Sequence, residues 1–123
     1  MLRYYCEAME LKPKFKVVLH TDASEFLQRM DEKTSRKIKE NIYKASLCLD
    51  PKLLKKLTGE IWEFRTLYSG KQYRLLAFWD KEDNQDTLVI ATHGFIKKVD
   101  KVPQKEIDKA LAIMKRYFDL KHM

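Results

Sequence analysis

Residues 61–79 read IWEFRTLYSGKQYRLLAFW, and the rest of the predicted fold depends on them. Side chains alternate between apolar and polar over 61–68, which is typical of a strand with one buried face. Residues 72–79 return as a second strand rich in aromatic and apolar side chains. Ser69 and Gly70 lie between the two strands and have the composition of a two-residue turn. The stretch therefore predicts an antiparallel β-hairpin.

A two-residue turn also predicts which residues of the hairpin face each other. Phe64 lies opposite Leu75 on one face, and Arg65 lies opposite Arg74 on the other. Like charges opposed across a sheet are unfavourable by up to about 1 kcal/mol. The pair therefore indicates an anion above it, since guanidinium groups are fork-shaped, permanently charged phosphate ligands. The alternative is that Glu63 and other carboxylates neutralise the pair in a surface network.

The residues around the hairpin predict an α+β domain. The further elements are a strand over 14–20, a helix capped by Asp22, a second helix capped by Asp31, a buried strand over 87–93 and a last helix with Pro103 in its first turn. The outward side of the second helix is basic and expected to be solvated: Arg36, Lys37, Lys39 and Lys44. Residues 53–57 read as a short turn that ends at Gly59. Two N-terminal helices and a C-terminal helix thus pack on an antiparallel sheet.

Length and composition limit the domain organisation and the class of partner. The chain has 123 residues, enough for one domain over 1–123, with residues 1–8 expected to form an extension. With 25 Lys+Arg against 18 Asp+Glu the net charge is +7, which favours nucleic acid, an acidic membrane surface or an acidic protein as partner. A device that keeps the protein in solution is the alternative explanation of this charge.

The sequence lacks the signals of membrane insertion and secretion. No apolar run approaches the roughly 18–20 residues of a membrane span, and the N-terminus lacks the apolar core of a secretory signal. Two cysteines are too few for a disulfide framework and lack a metal-site spacing, so reduced thiols and a cytoplasmic location are expected. Gly-rich phosphate loops, zinc-finger spacings and a Gly-x-Ser-x-Gly motif are also missing, and no metal or cofactor is expected.

A second group of candidate residues follows the predicted last strand. His93 ends that strand, and in a meander it would approach Arg74. A histidine among cations has a lowered pKa and is available as a neutral base, although a structural histidine is the alternative. Lys97 lies just beyond it. Further lysines that could extend the same cationic patch are Lys55, Lys56, Lys98 and Lys101.

Three motifs in this region occur in a recognisable order. They are LTGEIWEFR at 57–65, YRLL at 73–76 and HGFIKK at 93–98, followed by Pro103. In these motifs the chain resembles the RelE/HigB superfamily of type II toxins, most closely its phage-derived-protein-like branch. The resemblance covers roughly residues 14–120.

The resemblance implies a fold, an activity and partners. The fold is that of RelE and the microbial ribonucleases, and the activity is metal-free, ribosome-dependent cleavage of mRNA in the cytoplasm. The partners are mRNA on the ribosome and a cognate antitoxin, expected to be a helix-turn-helix protein. Matched position by position, Arg65, Arg74, His93 and Lys97 are the catalytic candidates, and Lys98 lies near the same basic position as Lys97. Because they could extend the cationic patch, the RNA-binding candidates are Lys55, Lys56, Lys98 and Lys101.

The chain also departs from the family pattern. Ile61 and Glu63 stand where family members often carry lysines, and the nearest match to a catalytic C-terminal tyrosine is Tyr117, on the predicted last helix. Two other functions therefore remain open. One is a basic RNA- or ribosome-binding module without catalysis, and the other is a basic face that serves as docking surface for an acidic antitoxin helix.

Overall fold

Five strands and three helices form the α+β fold expected from the sequence. The structure is a computed structural model and describes residues 12–82 and 87–123. Its elements are β1 (Lys16–Leu19), α1 (Thr21–Arg29), α2 (Glu32–Leu47), β2 (Leu54–Thr58), β3 (Ile61–Tyr68), β4 (Lys71–Asp80), β5 (Leu88–Lys97) and α3 (Gln104–Lys121). The strands form one sheet in the order β1-β5-β4-β3-β2. The expected extension at 1–8 lies outside the described residues.

The β3–β4 hairpin has the predicted register. Phe64 pairs with Leu75, and Arg65 pairs with Arg74. Ser69 and Gly70 have φ angles of 50° and 75°. Positive φ at both central residues is what a type I′ turn requires, and this turn matches the twist of the flanking strands. The conformation of these two turn residues therefore fixes the register in which the two arginines lie side by side.

The prediction of a short turn over 53–57 is wrong. Leu54–Thr58 is a strand that pairs antiparallel with β3, beginning with Leu54 opposite Phe64. Its register shifts between Lys56 and Thr58, so the apolar residues do not alternate regularly. The meander therefore has four antiparallel strands instead of three. β1 adds to the other edge in parallel with β5, with Lys16 opposite Leu88.

The two faces of the sheet carry separate hydrophobic clusters. The helices α1 and α2 cover one face, and their cluster includes Phe26, Ile38, Ile42, Phe64 and Leu75. The helix α3 covers the opposite face, and its cluster includes Ile61, Leu76, Phe78, Ile90 and Ala110. Arg65 and Arg74 alternate with residues of the first cluster, so they lie on the face that α3 partly covers.

The helix starts were predicted partly correctly. Asp31 caps α2 and accepts a hydrogen bond from the Thr34 N–H at 2.7 Å, as expected. The cap of α1 is His20 and not Asp22, because the His20 Nδ1 accepts a hydrogen bond from the Asp22 N–H at 3.2 Å and the helix begins at Thr21.

Two positions in the described ranges correct further expectations. β5 does not end at His93, since the strand continues through Gly94 to Lys97. A Cβ atom at Gly94 would collide with the ring of Phe26, so this glycine lets α1 approach the sheet closely. Cys48 is disulfide-bonded, so the expectation of reduced thiols is wrong at this residue. None of the helices in the described part of the chain has the length and apolar character of a membrane span.

Candidate anion-binding site

The Arg65–Arg74 pair is held together by a carboxylate on the same face of the sheet. Glu63 Oε1 lies 3.2 Å from Arg74 Nε and 3.4 Å from Arg65 Nε. Glu63 precedes Arg65 by two residues in β3, so strand alternation places both side chains on one face. The predicted neutralisation by Glu63 is therefore present, and it separates two guanidinium groups that would otherwise repel each other.

Arg74 is the buried member of the pair. Its side chain is 3% exposed, against 33% for Arg65. Arg74 Nη1 donates to the carbonyl oxygen of Tyr73 at 3.2 Å, and Nη2 donates to Gln72 Oε1 at 2.7 Å. Burial lowers the pKa of the Arg74 guanidinium, while Glu63 raises it and Arg65 lowers it further. The group nevertheless remains charged at physiological pH, as arginines do in proteins.

The two arginines open into a groove at the edge of the sheet. β2 accompanies β3 only as far as Phe64, where the Arg65 N–H donates to the Leu53 carbonyl oxygen at 2.8 Å. Beyond this point α2 and the segment before β2 form the walls of a cavity of about 460 Å³. We call this cavity the basic groove, and it is lined by Lys37, Asn41, Lys52, Leu53, Arg65, Leu67, Gln72 and Arg74.

The lining of the basic groove is cationic. Four of its side chains carry a positive charge, and none of the described lining residues is a carboxylate. Lys37 and Lys52 form no ion pair with a carboxylate among residues 12–82 and 87–123. Glu63 offsets part of the charge of the two arginines. The remaining positive potential and the guanidinium N–H groups suit a phosphate or another polyanion.

Lys97 borders the arginine pair from the next strand. It lies opposite Gln72 in the β4–β5 register, and Gln72 in turn accepts the hydrogen bond from Arg74. Cross-strand partners project from the same face of a sheet. The half-buried Lys97 therefore extends the cationic surface on the side of Arg74 that is remote from Arg65.

His93 lies on the same face of the sheet but beneath α3. A bulge in β5 pairs Leu76 with His93 and Ala77 with Ala91. The ring of His93 is within hydrogen-bond distance of Thr92 Oγ1 through Nδ1 (3.0 Å) and of Glu106 Oε1 through Nε2 (3.1 Å). Its side chain is 3% exposed.

The register places His93 diagonal to Arg74, whose direct partner is Phe95. Burial lowers the pKa of His93, Glu106 counteracts this effect and Lys109 adds to it. The predicted lowering of the His93 pKa is present, but its principal cause is burial of the ring and not the neighbouring cations. At neutral pH the ring is thus uncharged and contacts α3.

The remaining predicted site residues are dispersed. Lys55 and Lys56 are consecutive in β2, so their side chains project from opposite faces, and both border a different cavity of about 1000 Å³ beside Trp62. Lys98 and Lys101 are exposed in the connection between β5 and α3.

Tyr117 does not reach the arginines. Its hydroxyl donates to Asp80 Oδ2 at 2.5 Å, and its ring packs on Phe78. Asp80 is at the opposite end of β4 from Arg74, since it pairs with Leu88 while Arg74 pairs with Phe95. Tyr117 therefore anchors the end of α3 to the sheet.

Sequence reasoning missed part of the basic groove. The sequence predicts Lys37 on a solvated face, and Lys52, Asn41 and Gln72 are not among the predicted site residues. The spacing of Lys37 and Asn41 is a usable signal, because residues four apart lie on one face of a helix. Their distance from Arg65 in the sequence gives no sign that α2 packs beside this end of β3.

The described residues contain no group of three or more histidine, cysteine, aspartate or glutamate side chains arranged to hold a metal ion. The candidate site consists instead of fixed cations, amides and one carboxylate.

Comparison with known families finds one family model that matches most of the chain. The model of the family described as phage derived protein Gp49-like (DUF891) matches residues 25–115, about three quarters of the chain. A search of curated proteins finds no significant match. The matched segment includes α2, the whole β2–β5 meander and most of α3. The chain therefore belongs to the Gp49-like family of phage-derived proteins, within the RelE/HigB-like toxin superfamily.

Proposed function

We propose that this protein is the toxin of a type II toxin–antitoxin system and cleaves mRNA at the basic groove. The observation that carries the proposal is the convergence of Arg65 and Arg74 with Lys37 and Lys52 around one open cavity. The family is associated with toxins of such systems. A groove of this charge binds the phosphodiester backbone irrespective of base sequence.

The reaction that fits this site is an attack of a ribose 2′-oxygen on the adjacent phosphorus. A bond forms between these two atoms, the bond to the 5′-oxygen of the next nucleotide breaks, and the products are a 2′,3′-cyclic phosphate and a free 5′-hydroxyl. Negative charge increases on the non-bridging oxygens in the transition state. Arg65, which is one-third exposed, is placed to donate N–H groups to these oxygens, and Arg74 lies beside it.

Proton transfer requires an acceptor for the 2′-hydroxyl proton. Glu63 contacts both arginines, and its carboxylate oxygens are candidate proton acceptors within the site. His93 is the alternative, because its lowered pKa keeps the ring neutral, but the first turn of α3 must move to uncover it. Lys97 borders the arginine pair and is suited to donate the proton that turns the leaving 5′-oxygen into a hydroxyl.

Proposed partners follow from the same assignment. An antitoxin neutralises the protein, and we expect it to be a helix-turn-helix protein whose acidic segment covers the basic surface. The substrate is mRNA on the ribosome, so the site of action is the cytoplasm. The four dispersed lysines, Lys55, Lys56, Lys98 and Lys101, are proposed as contacts to RNA outside the groove.

The test is induction of the protein in a bacterial host followed by primer extension on abundant mRNAs. Wild type is compared with Arg65→Ala, because Arg74→Ala would remove one member of a buried ion pair and risks unfolding. We expect growth arrest and discrete cuts from wild type, and a loss of about 10²–10³ in cleavage for Arg65→Ala. Unchanged cleavage by folded Arg65→Ala would refute the assignment of the site.

One observation favours a second function, an RNA- or ribosome-binding module without catalysis. Glu63 occupies the space between the two arginines and is itself only 7% exposed, so part of their charge serves the fold. This alternative predicts salt-sensitive RNA binding without RNA products. Ribosome association without cuts in the primer-extension experiment would establish it in place of the nuclease.

A further inference from the structure

The basic groove contains a buried hydrogen-bond acceptor that the fold does not satisfy. Asn41 is 6% exposed and projects from α2, one turn after Lys37. Its Nδ2 donates to Thr66 Oγ1 at 3.1 Å and ties α2 to β3. Its Oδ1 is buried and has no hydrogen-bond partner among the described residues. Leaving a buried polar atom unpaired is unfavourable, which makes this position exceptional.

The surroundings of this acceptor restrict the ligand that can satisfy it. Asn41 lines the groove together with Lys37, Lys52 and the two arginines, all of which attract anions. The ligand must therefore combine negative charge with a hydrogen-bond donor close to that charge. A nucleic-acid backbone offers only acceptors at its phosphates and its ether oxygens. The single donor of that backbone is the 2′-hydroxyl of ribose, which DNA lacks.

We propose that the amide of Asn41 accepts a hydrogen bond from a ribose 2′-hydroxyl, so that the basic groove selects RNA over DNA. This inference rests on the proposed function, because it assigns a specificity residue to the same groove. The four cations bind the backbone of either nucleic acid, whereas Asn41 distinguishes the sugar. Its position on the rigid helix α2, tied to Thr66, fixes the amide relative to the phosphate-binding side chains.

Because Asn41 Oδ1 is buried, a ligand reaches it only when neighbouring side chains of the groove move. Lys37 and Lys52 have flexible stems, and neither is held by an ion pair in the described chain. We infer that these side chains move toward bound phosphates and that this movement gives the hydroxyl access to Asn41 Oδ1.

The experiment compares the binding of two oligonucleotides of identical sequence to the full chain. One is RNA, and the other is 2′-fluoro RNA, which keeps the ribose pucker but has no hydroxyl donor and no nucleophile. Affinity is measured by fluorescence anisotropy with end-labelled strands, and a gel after each titration verifies that the RNA is intact. We expect wild type to bind RNA about 3-fold to 10-fold more tightly, the range of one net hydrogen bond.

Asn41→Leu, a variant of similar size, removes the acceptor. It should bind RNA as weakly as wild type binds 2′-fluoro RNA, with its affinity for 2′-fluoro RNA unchanged. Asn41→Ser is the second variant, in case leucine perturbs the packing of α2 on β3. The control is Lys52→Ala, which should weaken the binding of both oligonucleotides by the same factor.

Three results would overturn the inference. They are equal binding of the two oligonucleotides by wild type, an equal loss for both in the Asn41 variants, and no binding of either strand. These outcomes are distinct from failure of the proposed function, which is judged by cuts in mRNA. A protein that makes no cuts but loses its RNA preference in Asn41→Leu is an RNA-selective binding module.

Discussion

Glu63 and Arg74 form a buried ion pair across the β3–β4 hairpin, with 3.2 Å between Oε1 and Nε. The side chains are 7% and 3% exposed, so a charge pair inside the candidate site is almost completely removed from solvent. The Nε–H of Arg74 is buried and lacks a hydrogen bond of good geometry among the described residues, although the carboxylate is close. The pair thus combines close approach of the charges with incomplete hydrogen bonding.

Removing the charge of Glu63 should destabilise the protein. Glu63→Gln leaves the Arg74 guanidinium buried without a counter-charge, and we expect a loss of about 3–5 kcal/mol in the free energy of unfolding. Urea denaturation followed by circular dichroism measures this loss. The matched control is Glu60→Gln, an exposed carboxylate next to the start of the same strand. Equal stability of the two variants would show that the ion pair does not support the fold.

Lys37 and Lys52 of the basic groove should determine the salt dependence of RNA binding. Each phosphate contact to single-stranded RNA contributes about 0.7 to the slope of log K against log salt concentration. Lys37→Ala and Lys52→Ala are each expected to reduce the slope by about that amount. Lys39→Ala is the control, because Lys39 lies on another side of α2 and borders a different cavity. A slope that changes equally in all three variants would locate the RNA elsewhere.

His93 should make the stability of the protein depend on pH. Burial lowers its pKa below the ordinary value of 6.5, so the unfolded chain binds the proton more readily than the folded protein does. Its stabilising contribution is fully present above pH 6.5 and is lost as the pH falls through the lowered pKa. Thermal unfolding between pH 5 and pH 8 measures the effect.

The control for this pH effect is His93→Gln, which retains a side-chain donor toward Glu106. The charged groups around the ring are Glu106, Lys109 and Asp22, and they remain in the variant. We expect the decline of stability below pH 6.5 to become shallower in His93→Gln. An identical pH profile for wild type and variant would assign the decline to other groups.

The end of α3 should depend on Asp80 for its attachment to the sheet. Asp80 is 1% exposed and accepts hydrogen bonds from Tyr117 and from Lys121 at 2.6 Å. Burial raises the pKa of this carboxyl, but the hydrogen bonds from Lys121 and Tyr117 outweigh burial and the net shift is downward. Tyr117→Phe is expected to cost about 1–3 kcal/mol of unfolding free energy.

Lys115→Ala provides the comparison for Tyr117→Phe. Lys115 pairs with Asp119 on the exposed side of the same helix, and such a surface pair contributes little. Its melting temperature should match that of wild type, whereas Tyr117→Phe should melt earlier. If both variants melt together with wild type, the Asp80 contacts do not hold the helix.

The fold was predictable where local chemistry determines it. The turn at Ser69 and Gly70 fixes the pairing of Arg65 with Arg74 without any distant contact. The sequence did not predict β2, because a register shift interrupts the alternation of apolar and polar residues in this strand. Its pairing with β3 is what identifies it as a strand.

The predicted end of β5 at His93 is wrong for a related reason. The missing side chain of Gly94 makes room for Phe26 of α1, and the strand continues through it to Lys97. The bulge that pairs Leu76 with His93 is equally invisible in the sequence. His93 was predicted to approach the arginines. In the structure it lies diagonal to Arg74 and beneath α3.

The candidate site was predictable only in its sheet residues. Arg65 and Arg74 follow from strand register, and Lys97 was predicted from its place just beyond His93. Lys37 and Lys52, in contrast, are supplied by α2 and by the segment before β2. These two lysines line the same groove as the arginines because of tertiary packing. No residue spacing in the sequence predicts that they do so.

The parallel pairing of β1 with β5 also implies an order of folding. Lys16 pairs with Leu88, whereas each pairing within the β2–β5 meander joins strands that follow one another in the chain. Closing a long loop costs more conformational entropy than closing a hairpin, so we expect the meander to form first and β1 to join last. Every residue of the basic groove lies between Lys37 and Arg74, so the whole groove is encoded and synthesised before β5 and α3.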